Sequence, residues 1–163
     1  MTRMAEIRAE LEASAGQPGR RMDLVRSTMD QALELDGVEM EDLLLGVFRD
    51  DPDPIVRHEA VFIIGCLVSW GRIQGERAFP LIREASLRDR SVVVRHESVE
   101  ALSNFHTPGS VEVCVQALED PHEEVSATAR ITLERIWHQA AEPTVKESAR
   151  EALVAAGFPP ATT

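Results

Sequence analysis

Tyrosine is absent from this 163-residue chain, and Phe and Trp bring the aromatic share to only 4%. Leu, Ile, Val and Ala must therefore fill whatever interior the chain builds. There are two cysteines, Cys66 and Cys114, each alone inside an apolar, helix-like segment. That arrangement argues against a disulfide framework and against a zinc site made of thiolates. Basic residues are also few: 17 Lys and Arg stand against 28 Asp and Glu, for a net charge of −11. With no basic cluster beyond Arg20-Arg21, nothing is available to neutralise phosphates, and nucleic acid is excluded as a partner. The acidity itself mostly serves solubility and permits a basic partner. Lys146 is the only lysine, and such a bias toward arginine is expected of a GC-rich bacterial genome. The longest apolar run, Ala60 to Val68, falls far short of the ~20 residues that cross a bilayer, so no membrane span is expected. The first ten residues hold no apolar stretch of the kind a secretory signal needs, and the cytoplasm is the expected compartment.

What is present is a folding composition, with 44% apolar and 28% charged residues. That balance and length predict one domain over residues 1–163 with a core of its own. The chain also repeats. Four segments align on a valine: Val25-Arg26-Ser27-Thr28, Val56-Arg57-His58-Glu59, Val94-Arg95-His96-Glu97 and Val125-Ser126-Ala127-Thr128, spaced 31, 38 and 31 residues apart. Five residues before the last three valines stand Asp51, Asp89 and Asp120, followed twice by proline, Pro52 and Pro121. Asp-Pro ahead of an apolar-periodic run is a helix-entry signal, because proline lacks only a donor that the first turn leaves unused. Asp53-Pro54 and Ser91 have the chemistry of the caps themselves.

Each entry leads into helical spacing, as in Ile55, Glu59, Phe62, Ile63 and Val56, Ala60, Ile64, Leu67. A second apolar-periodic segment lies upstream of each: Val38 to Asp50, Glu76 to Leu87 and Ser110 to Leu118. The first pair is read as Arg3 to Ser14 and Arg20 to Leu35, split by Gly16-Gln17-Pro18-Gly19. Thr144 to Ala156 reads as a closing amphipathic helix. Val92-Val93-Val94 alone favours a strand locally, and the repeat register overrides it. A helix–turn–helix unit recurring at this period predicts an all-α fold, an α-solenoid of about four helix pairs over residues 3–36, 38–70, 75–105 and 109–139, with a cap at 143–156. The phrase from Asp51 to Ala60 resembles the HEAT-like repeats grouped with phycobilisome lyases.

The sharpest feature is where His-Glu falls. The outer units carry Ser27-Thr28 and Ala127-Thr128, whereas the middle units carry His58-Glu59 and His96-Glu97 at identical register. Stacked helices lie ~8–10 Å apart, so side chains of this length can converge on one point. Imidazole with carboxylate is a donor set for non-haem iron, with manganese or zinc also served by it. Seven residues beyond each His stand Gly65 and Ser103, small enough for a ligand or for close helix packing. One exposed His-Glu is the ordinary polar face of a helix; two in register on neighbouring units raise the metal reading beside it. His106 reads as a loop residue, His122 as a helix entry and His138 as a cation near a helix end. Trp70 and Trp137 read as packing residues, and Glu39-Glu41-Asp42 and Glu123-Glu124 as solvated helix faces.

Stacked units with paired His-Glu dipeptides resemble deoxyhypusine hydroxylase, a di-iron monooxygenase family built as two four-unit halves with His-Glu in the second and third units of each. This chain resembles one such half over nearly its whole length. In the family each iron takes the two His of one half and a Glu from the first His-Glu of the other. Carried over by position, the resemblance implies that His58 and His96 hold iron together with Glu59 of a second subunit. Glu97 is then the remaining motif carboxylate, placed toward the substrate as the catalytic candidate. A di-iron site from one such half requires a homodimer with isologous symmetry. The reaction implied is an O₂-dependent hydroxylation of a small amine, amino acid or natural-product intermediate. Electrons must come from outside, since the chain carries no flavin or thiol-pair motif.

Two other readings fit a repeat array. One is a binding scaffold, with the His-Glu pairs as polar contacts in a groove that receives a basic protein. The other is a tetrapyrrole lyase, disfavoured because no Cys or aromatic cluster points to a groove. A Gly-rich phosphate loop, a Ser-His-Asp order and zinc-type Cys spacing are all absent from the sequence.

Overall fold

The local signals along the chain become helix ends. Asp36 caps one helix by accepting from the amides of Val38 and Glu39 at 2.9 and 3.0 Å. Asp53 caps another through Ile55 N–H at 2.8 Å, and Thr107 a third through Ser110 N–H at 3.1 Å. In this computed structural model, which describes residues 2–159, the described residues form nine α-helices, one 3₁₀ turn and no strand. They are α1 Arg3–Ala13, α2 Pro18–Asp30, α3 Gly37–Asp50, α4 Pro54–Ser69, α5 Phe79–Arg88, α6 Val92–Ala101 with a 3₁₀ turn Leu102–Asn104, α7 Pro108–Ala117, α8 Glu123–Gln139 and α9 Pro143–Ala155. No helix among the described residues is long and apolar enough to cross a membrane.

The chain divides between Leu81 and Ile82 into two units. In the first, α4 packs on both α3 and α2. In the second, α8 packs on α6, α7 and α9. The valines that define the repeat explain this: Val25, Val56, Val94 and Val125 are all fully buried. Around them the first unit buries Leu44, Ile63, Ile64 and Leu67, and the second Leu102, Leu133 and Ile136. Each such side chain contributes about 1.5–3 kcal/mol relative to exposure. Burial of Val94 holds Val92-Val93-Val94 in the first turn of α6, against their β-propensity.

The three aspartates of the repeat make one shared turn. Each carboxylate accepts the amide two residues on: Asp51 from Asp53 at 3.0 Å, Asp89 from Ser91 at 2.8 Å, and Asp120 from His122 at 2.9 Å. Ser91 occupies the cap position of α6 but makes no capping bond with its side chain. From inside the following helix an arginine reaches back to the same aspartate's carbonyl: Arg57 to Asp51 at 3.0 Å, and Arg95 to Asp89 at 2.9 Å. Arg95 also forks onto Asp120, Nε to Oδ2 at 2.7 Å and Nη2 to Oδ1 at 3.1 Å. Arg21 grips Asp51 through Nε at 2.7 Å.

Helices α4 and α9 stop in the same manner. Gly71 and Gly157 take φ of +67° and +84°, a conformation that glycine adopts without a Cβ penalty. Arg72 N–H then reaches Leu67 O at 2.9 Å, and Phe158 N–H reaches Leu153 O at 2.8 Å, satisfying carbonyls that the helix end leaves open.

Four sequence expectations need correction. The helix read from Arg20 to Leu35 is α2, which starts at Pro18 and stops at Asp30, with residues 31–35 in turns and a bend. Trp70, expected to pack, ends α4 with 56% of its surface exposed. Glu41, expected on a solvated face, is buried and lies 3.6 Å from Arg77. Helix α5 begins at Phe79 rather than Glu76, because residues 71–78 are used by turns at Gly71 and Gly75, both with positive φ.

Candidate metal centre

Helices α4 and α6 begin at equivalent points, so His58 and His96 are each the fifth residue of their helix. The buried valine two residues earlier fixes the rotation of each helix. That rotation leaves His58 and His96 half-buried and turns Glu59 and Glu97 inward, to 5% and 7% exposure. Ile55 and Phe62, three residues before and four after His58, lie on its face of α4 and are exposed. Val93 occupies the matching place before His96, also exposed.

Buried carboxylates need partners. Glu59 has Arg26 of α2, whose Nε and Nη2 donate to Oε1 and Oε2 at 2.8 and 3.0 Å. The hydrogen bond and charge of Glu59 raise the Arg26 guanidinium above its ordinary value. On α6 the structure gathers three donors: His96, Glu97 and Glu100 each offer a ligand atom, all within 4.8 Å of one another. Two ligands sharing a divalent ion at ~2.1 Å lie up to about 4.2 Å apart, so small side-chain rotations would close this set on a cation. Imidazole with two carboxylates is chemically suited to iron, manganese or zinc. Glu100 also accepts from Arg135 Nη1 of α8 at 2.8 Å.

Of the residues singled out in the sequence, His96 and Glu97 thus meet in one cluster on α6, in the unit that begins at Ile82. His58 and Glu59 belong to α4, in the unit that ends at Leu81. Gly65 and Ser103 are both buried, and the Ser103 hydroxyl donates to Glu100 O at 2.8 Å, so these small residues serve close packing. His122 occupies the N-cap position of α8 without a side-chain capping bond, and His138 lies against Trp137 with ring centroids 4.1 Å apart. Cys114 is no ligand candidate: burial pushes its thiol up to about 12.

A family profile for HEAT repeats matches residues 41–134 and 80–156. The chain belongs to the HEAT-repeat family. Among curated proteins, this HEAT-repeat chain is similar to deoxyhypusine hydroxylase from Bos taurus, 34% identical over 93 residues, which is 55% of this chain and 28% of that protein. The Arabidopsis thaliana deoxyhypusine hydroxylase is 35% identical over 89 residues, 53% of this chain and 26% of that protein. The Candida glabrata protein of the same name is 29% identical over 111 residues, 67% of this chain and 33% of that protein. The chain therefore spans about a quarter to a third of the length of these relatives.

The HEAT register also shows what sequence reading missed. Glu100 follows His96 by four residues and so shares its helix face, a signal the spacing did contain. Arg26 and Arg135 gave no such signal. Their partners lie 33 and 35 residues away and become neighbours only when α2 packs on α4 and α8 on α6.

Proposed function

We propose that this HEAT-repeat chain is a non-haem iron, O₂-dependent hydroxylase whose iron sites are completed by a second copy of the chain. The observation that carries the reading is the pair of His-Glu dipeptides, at the same depth of α4 and α6, in a chain similar to proteins named deoxyhypusine hydroxylase. His58 and His96 would hold the metal with Glu59 of the partner subunit. Neutral imidazoles leave the ion its charge, and one carboxylate offsets part of it, leaving positions for O₂ and substrate. The chemistry supplied by bound iron is the reduction of O₂ and the hydroxylation of a C–H bond, with electrons from an external reductant.

The chain's own residues set the conditions. Ile55 and Phe62 flank His58 with apolar surface that excludes water once covered. The Glu97 carboxylate would accept a hydrogen bond from a substrate ammonium and hold it beside the metal. The substrate class is then a small amine, amino acid or natural-product intermediate, and the setting the cytoplasm. A second reading, a scaffold for a basic protein partner, draws on the net charge of −11.

Metal analysis of untagged protein from iron-supplemented cells separates the two. The hydroxylase reading expects about one iron per chain, lost in both His58→Ala and His96→Ala. Stoichiometric iron in both variants overturns it, as does a metal-free wild type, which leaves the scaffold. Light scattering should show a dimer; a monomer at micromolar concentration removes the shared site.

A further inference from the structure

Helices α2 and α8 carry no His-Glu dipeptide, yet each sends an arginine to a carboxylate on a helix that does. Arg26 of α2 holds both oxygens of Glu59, at 2.8 and 3.0 Å. Arg135 of α8 holds one oxygen of Glu100, at 2.8 Å, and Glu100 lies within 4.8 Å of the His96 and Glu97 ligand atoms. Each contact is made within its own unit.

Both arginines stand well out in water, with side-chain exposures of 50% and 43%. The Arg135–Glu100 pair, open to water on both sides, adds little to stability, whereas the Arg26–Glu59 pair has its carboxylate buried. A guanidinium fork does fix the plane and the charge of a carboxylate. It uses one lone pair on each oxygen of Glu59, out of about four acceptor sites, and leaves the others open to a cation. Carboxylates that bind metals are commonly held in this way by a hydrogen-bond donor behind them.

We propose that the outer repeats clamp the metal centre: Arg26 positions Glu59, Arg135 positions Glu100, and Glu100 joins His96 in the centre. This rests on the metal reading above. It gives the first and fourth repeats, which lack donors of their own, a role in the site. The two clamps are unequal. Arg26 makes a two-point grip on a buried carboxylate, whereas Arg135 makes a one-point contact with a half-exposed one, so Arg26 is the stronger positioning residue.

The test is anaerobic titration of the 163-residue chain with Co(II) and with Fe(II), followed by calorimetry and by the visible Co(II) spectrum. Arg26→Ala should weaken uptake by about 10- to 100-fold; because it also leaves Glu59 buried without its counter-charge, the melting temperature should fall too, and uptake is titrated well below the melt of each variant. Arg26→Lys should recover only part of the loss, because an ammonium cannot fix both oxygens. Arg135→Ala should weaken uptake by less than about 10-fold, and Glu100→Gln should change the Co(II) spectrum. If the wild type takes up metal and both Ala variants bind as tightly or more tightly, the clamps are refuted and the metal centre stands. If the wild type takes up neither ion, both fall together.

Discussion

Arg26 on α2 and Arg95 on α6 hold the same place in their repeats, one residue after the buried valine. Their partners differ. Arg95 lies over the turn that starts its own helix, bonded to Asp89 O at 2.9 Å, and from there it reaches Asp120 of the next repeat. The first repeat has no aspartate at that point; Arg20 stands five residues before Val25. Arg26 therefore has no such turn to anchor it and extends to Glu59 instead. The grip on the next repeat's aspartate passes to Arg21, which binds Asp51. Burial then separates the two roles. Arg95 and Asp120 are 10% and 8% exposed, whereas Arg26 is half in water over a Glu59 that is 7% exposed, so the difference lies in the cation alone. One position in a repeat thus supplies a tie to the next repeat's turn where its own turn is present, and a fork onto the next repeat's Glu59 where it is missing.

The comparison breaks most severely at Arg95. Arg95→Ala leaves Asp120 buried without its counter-charge, and should cost about 3 kcal/mol, a fall of about 6–12 °C in a thermal melt. Arg21→Ala is expected next, at about 2 kcal/mol, since Arg21 is the more exposed of the two arginines, 17% against 10%. A third outcome concerns acid. Hydrogen bonding from Arg95 holds the Asp120 carboxyl below its ordinary value of 3.8. A carboxyl depressed in the folded state stabilises it above the unfolded pKa and loses that contribution as pH falls through the folded one. The wild type should therefore lose stability below about pH 4, and Asp120→Asn should flatten that limb of the curve in urea melts. The smallest effect belongs to Arg49, which pairs with Asp50 with both side chains mostly in water. Arg49→Ala should leave the melt unchanged; a clear fall would mean that exposure does not separate structural from dispensable ion pairs here.

Much of the fold can be read along the chain. The valine register, the aspartates five residues earlier and the entry prolines are local, and they become the buried centres, turns and helix starts of α4, α6 and α8. The His-Glu pairs were legible because repetition makes a departure at one register visible. Glu41 and Trp70 were misread because the burial of one helix face depends on what packs there. Arg77 covers Glu41 from a segment 36 residues later, and the turn at Gly71 leaves Trp70 at an open helix end.

By itself, then, the sequence determined helix periodicity, the repeat, and which residue types recur at which turn, because each depends on groups a few residues apart. Only the packing of α2 on α4 and of α8 on α6 decided which carboxylates each arginine meets. Those partners are separated by more than thirty residues of chain, and their attraction acts over a few ångströms, so no local pattern records it.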